Sequence, residues 1–91
     1  MIKVVAVEAL EKHRLRARFS DGTEGVRDFA DILEEGGPMV EPLRDPTFFS
    51  RVFIELGAPT WPNGYDIAPW TLHKELEDAK LLKPSAASAA E

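Results

Sequence analysis

Leu15, Ala17 and Phe19 alternate with Arg14, Arg16 and Arg18. A period of two is the pattern of a strand with one face in a core and the other in solvent, so residues 14–19 predict a half-buried antiparallel strand. Upstream, Ile2 to Ala9 is rich in Val and Ala and predicts a first strand. Downstream, Ser20-Asp21-Gly22-Thr23 places Asp-Gly at the centre of a hairpin turn, and Glu24 to Phe29 predicts the return strand. The first thirty residues therefore read as a three-stranded meander. Ala30 to Glu35 predicts one or two helical turns stopped by Gly36-Gly37, and Met39 to Arg44 reads as irregular. Asp45-Pro46 predicts a helix start, with Asp as cap and Pro at the first helical position, and it carries Phe48 and Phe49. Arg51 to Leu56 predicts a fourth strand, and Gly57-Ala58-Pro59 a turn into a short strand at Thr60-Trp61.

The stretch Trp61 to Pro69 combines the two strongest backbone constraints. Pro62 and Pro69 fix φ, and Asn63-Gly64 readily takes positive φ. It predicts a short strand, a tight turn and the start of a helix. From Pro69 to Leu81, Trp70, Leu72, Leu76, Ala79 and Leu82 recur near helical spacing, which predicts an amphipathic helix of about three turns. Asp66 is expected to accept backbone N–H groups near its start. Lys83 to Glu91 offers little to bury and reads as a flexible tail. The expected architecture is α+β: one domain over residues 1–82, with a small antiparallel sheet (the meander plus further strands), short helices and a C-terminal amphipathic helix. A chain of this size has a modest core, and its candidate edge strands are Ile2–Ala9 and Arg51–Leu56.

Composition narrows the function classes. The absence of cysteine removes disulfides, thiol catalysis and thiolate metal sites, and no signal peptide or membrane span is evident, so a cytoplasmic protein is expected. The net charge of −5 is uneven: residues 31–91 carry five basic and eleven acidic side chains, while residues 1–30 are nearly balanced. That disfavours direct nucleic-acid binding, which needs cations against phosphate, and leaves room for a protein partner.

The candidate chemistry is sparse. Arg14, Arg16 and Arg18 form a row that Glu24 and Asp28 on the return strand can pair across. His73 and Glu77, four apart, predict a surface pair rather than a metal site, because no third ligand is evident. Asp28, Asp45 and Asp66 are scattered carboxylates with plain local roles, and Trp61, Tyr65 and Trp70 are core or a binding patch. No catalytic residue, cofactor site or metal site is expected.

The blocks Leu15 to Thr23, Arg27-Asp28-Phe29, Pro42 to Phe49 and Trp61-Pro62-Asn63-Gly64-Tyr65-Asp66 to Pro69, in this order and spacing, resemble the bacterial domain of unknown function family 2442 over about residues 2–76. His73 departs from it, since the family more often has Tyr there. The resemblance implies a small α+β domain with an antiparallel sheet. It also implies a gene layout like that of toxin–antitoxin pairs, beside small proteins of another family. The expected function is a non-enzymatic protein-interaction module, antitoxin-like, acting with a protein partner or as a homodimer. The alternatives are a transcription-linked regulatory domain and a carboxylate-dependent enzyme using Asp28, Asp45 and Asp66.

Overall fold

The computed structural model describes residues 1–85. The meander forms as the alternation requires: β1 (Val4–Leu10), β2 (Arg14–Phe19) and β3 (Thr23–Asp28) pair antiparallel in that order. Val4, Leu15, Ala17 and Phe19 are buried on the inner face, while Arg14 and Arg16 point to solvent. A bulge at Val4/Ala6 lets β1 keep its inner side chains aligned with β2. α1 (Ala30–Glu35) ends at Gly36, whose φ of +76° suits glycine, and Ile32 and Leu33 pack on the core.

Where the chain reads as irregular, Glu41–Arg44 forms a turn of 3-10 helix with Pro42 in its first turn and Leu43 buried. Pro42 pre-sets φ for such a turn. α2 (Pro46–Phe49) begins with Asp45, whose carboxylate accepts from Thr47 N–H at 2.9 Å.

The expected strand over residues 51–56 shortens to β4 (Phe53–Glu55), and it leaves the main sheet. It forms a separate two-stranded hairpin with β5 (Ala58–Thr60), which ends one residue earlier than the strand expected at Thr60-Trp61. The reason is the two-residue turn Leu56-Gly57, with φ of +52° and +79°, a left-handed pair whose twist suits a tight hairpin. The tip of this hairpin lies against the start of β1, where Val4 N–H bonds to Gly57 O at 2.8 Å.

α3 (Pro69–Asp78) buries Pro69, Leu72 and Leu76. It stops short of the expected Leu81 because Lys80 takes a left-handed φ of +60°, and Leu81 N–H reaches back to Leu76 O at 2.8 Å while Lys80 N–H bonds to Glu77 O at 3.0 Å. That pair of bonds is a Schellman closure with lysine where glycine is usual. Its N-terminal position is Ala68, with no side-chain cap, so the expected capping by Asp66 does not occur. Asp66 is exposed, and its backbone bridges to Thr60.

Beyond the helix, β6 (Lys83–Pro84) pairs with Thr23 and Glu24, and Ser85 N–H bonds to Gly22 O. Lys83 to Ser85, placed in the tail by the sequence, thus lie against the sheet, and residues 86–91 of the expected tail lie outside the described residues. The core gathers Phe29, Phe49 and Trp61 between the sheet and the helices, with ring centroids 5.2–5.8 Å apart; Phe29 stands edge-on to the other two, which are tilted at 33° to each other.

Candidate functional site

The stretch from Trp61 to Asp66 is a turn that serves the core. Trp61 is fully buried, and its indole N–H donates to Phe49 O at 2.9 Å. Trp61 N–H bonds to Tyr65 O and Gly64 N–H to Trp61 O, both at 2.9 Å. Asn63 closes the loop from its side chain, donating to Met39 O and accepting from Tyr65 N–H. Pro62 stays exposed. Tyr65 is half-buried with its ring 5.7 Å from Trp61, and burial pushes its hydroxyl above the ordinary value of 10.0. Gly64 sits at φ +91°, and the nearest outside atom to an added Cβ is Met39 Cε at 3.9 Å. The obstacle to a side chain there is conformational rather than steric. Gly64→Val is therefore expected to lower stability by about 1–3 kcal/mol through backbone strain. Gly64→Asn should cost much less, because Asn tolerates the left-handed region. Urea unfolding of the two variants separates them, and equal losses would refute a conformational cause.

The expected cationic row is balanced on the spot. On the outer face of the sheet, Arg18 lies between Ala6 and Glu24, Arg16 between Glu8 and Val26, and Arg14 between Leu10 and Asp28. Arg16 pairs with Glu8 of β1 at 2.6 Å, a partner the sequence reading did not name, rather than with β3. Three arginines and three carboxylates, Glu8, Glu24 and Asp28, therefore share the face.

The three scattered carboxylates occupy three separate places. Asp28 accepts from Ala30 N–H at 2.8 Å, Asp45 caps α2, and Asp66 lies exposed with its backbone bridged to Thr60 at the open end of the hairpin. Their spread removes the shared pocket on which carboxylate chemistry would depend. Among the described residues no group of three or more His, Cys, Asp or Glu is placed to hold a metal ion, and no helix is long and apolar enough to cross a membrane.

His73 turns away from Glu77. Its Nε2 meets Asp21 Oδ2, in the turn between β2 and β3, at 3.0 Å, and its ring stands edge-on to Phe19 at 4.9 Å. Burial works against the ionised form of Asp21, but bonds from the Thr23 hydroxyl and N–H and from His73 outweigh it and hold the carboxyl below the ordinary 3.8. A carboxylate whose pKa falls on folding stabilises above its unfolded value and loses that contribution as pH drops through the folded one. Asp21→Asn is therefore expected to cost about 0.5–1 kcal/mol at pH 7, with the difference fading below pH ~3.8. Denaturant titrations at pH 7 and pH 3 check this, and a gap that is the same at both would refute it.

Two residues to which the sequence assigns no role of their own stand out. The first is Arg27, on the inner face of β3 and only 16% exposed, with bonds to Asp31 at 2.7 Å and to Glu75 of α3 at 3.4 Å. The Asp31 bond, reinforced by Glu75, raises its pKa despite burial. Together with Asp28, Asp78 and Leu81 these residues line a groove of about 690 Å³. Its charges are already engaged: Asp31 and Glu75 with Arg27, Asp78 with Lys74, and Asp28 with a backbone N–H. The groove is a joint that holds α3 on the sheet.

The second feature is Leu56. It is 95% exposed at the hairpin tip, in the left-handed conformation, at a turn position where Asn or Asp is the usual choice. Such a conformation costs a residue with a Cβ on the order of 1–2 kcal/mol. Leu56, Met1 and Trp70, the last 59% exposed, help to line a notch of about 260 Å³, to which Ile2, Ala58 and Pro69 also contribute. All three residues of β4 are exposed, including Phe53 and Ile54. A clue was present in the sequence, since Leu-Gly stands where a polar residue and Gly would close a hairpin more cheaply.

The resemblance read from the motif blocks agrees with the comparison of families: residues 4–77 match the family described as Protein of unknown function (DUF2442). No curated protein and no solved structure matches the chain.

Proposed function

As the chain belongs to the DUF2442 family, whose description assigns no activity, we propose that it is a non-enzymatic protein-interaction module that binds through the hairpin tip and its notch. One observation carries the reading: Leu56 is held out in solvent at a strained φ and lines the same notch as the exposed Trp70. Strain at an exposed apolar residue has no use in the packing of this chain, and such outliers gather at binding surfaces. Trp70 is the kind of large amphipathic side chain that anchors interfaces. An antitoxin-like role is one form of this module, in which the surface engages a second small protein. The carboxylate-dependent reading draws no support from three aspartates that sit apart.

The test compares the chain with Leu56→Asn and Trp70→Ser after chemical cross-linking in cells. The unsubstituted chain is expected to give discrete protein adducts that both variants lose. Identical adducts in all three, or none in any, would overturn the proposal.

A further inference from the structure

The hairpin surface contains a projection and a recess side by side. Leu56 projects at the rim of the notch that Met1, Ile2, Pro69 and Trp70 help to form. We propose that the occupant of this surface is a second copy of the same chain, in a two-fold contact that seats each copy's Leu56 in the notch of the other. The inference rests on the interaction reading above and names its partner.

Three observations support it. A surface carrying both a knob and its hole is self-complementary, because a two-fold axis between them brings each onto its counterpart, and isologous contacts have this form. The rim is also electrically self-complementary. Lys3 lies on it with Glu55 and Asp66, and among the described residues none of the three forms an ion pair within its own chain. Two-fold docking brings Lys3 of each copy toward the carboxylates of the other. A strongly basic or acidic partner would leave one sign on the rim unmatched. Finally, the hairpin tip is fixed rather than loose: Gly57 O accepts from Val4 N–H, and a Cβ on Gly57 would come within 3.0 Å of the Lys3 side chain. The knob is therefore presented on a braced turn, which reduces the ordering cost of association.

The experiment uses the full 91-residue chain. A photoreactive leucine analogue at position 56, irradiated in cells, is expected to give an adduct of twice the chain mass, and light scattering a concentration-dependent dimer. Leu56→Asn suits the left-handed turn and so keeps the hairpin, and it should raise the dimer dissociation constant about tenfold or more. Lys3→Glu and the double variant Glu55→Lys/Asp66→Lys should each dimerise weakly alone, whereas an equimolar mixture of the two recovers the dimer. Recovery on mixing is not an effect that altered folding of either variant can produce. A monomer at every concentration, or a dimer indifferent to Leu56→Asn and to mixing, overturns the inference. A cross-link to a foreign protein overturns it too but leaves the interaction module standing. No cross-link of any kind overturns both.

Discussion

Trp61→Ala is expected to cost about 3–5 kcal/mol, much of the stability available to a domain of this size. The side chain is fully buried and touches the rings of Phe29, Phe49 and Tyr65. Removing it takes out the centre of the aromatic cluster and leaves a cavity that the sheet on one side and α2 on the other cannot close. It also removes a bond with a specific job. Phe49 is the last residue of α2, so its carbonyl has no partner within the helix. The Trp61 indole N–H supplies one at 2.9 Å. Trp61→Phe isolates that part: the ring volume is mostly kept, the buried carbonyl loses its donor, and the expected cost falls to about 1–3 kcal/mol. Urea unfolding of both variants measures the two contributions. A small loss in Trp61→Ala would mean that the turn from Trp61 to Asp66 is not the scaffold it is taken to be, and would return it to consideration as a binding site.

The parts of this fold that could be read from sequence are those fixed by neighbours along the chain. Residues 14–19 announce their strand because one face is buried and the other is not, so every second side chain carries the same message. Asp45-Pro46 and Gly36 mark element ends through local rules of capping and φ. What stayed hidden depends on distant partners. Asp21 and His73 are 52 positions apart and meet only after α3 docks on the sheet. Glu77, the nearer candidate, is passed over because His73 sits on the helix face turned to Phe19. Lys80 ends α3 where a glycine would have been the sign. Arg27 stands in a family block, but its role is not legible there, because a charge on the inner face of a strand contradicts the pattern and only the carboxylates of α1 and α3 make that position tolerable. Leu56 escaped for the opposite reason. Local hydropathy assigns it to the end of a strand, whereas the structure places it at a turn.

Reversing the charge at Arg27 should be the second most damaging change. Arg27→Glu would set a third carboxylate against Asp31 and Glu75 on a side chain that is 16% exposed, and it is expected to cost about 3–5 kcal/mol at pH 7. Neutralisation is a different matter. Arg27→Met keeps an apolar stem in the groove that Leu76 also lines, and the carboxylates it leaves behind are 67% and 43% exposed, so water takes over most of their solvation. Its cost should be about 1 kcal/mol or less. The pH dependence separates the two charge states further. In the unsubstituted chain the Arg27 bond holds Asp31 below 3.8 even though burial opposes it, so its stabilisation is present above that value and is lost as pH falls through the folded pKa. In Arg27→Glu the sign reverses: clustered carboxylates bind protons more readily folded than unfolded, so lowering the pH relieves the repulsion. The gap between the two proteins should therefore narrow steadily from pH 7 toward pH 4. Denaturant midpoints across that range decide the matter. A gap that stays constant would mean that Arg27 acts through the packing of its stem, and that the joint between α1, α3 and the sheet is not electrostatic.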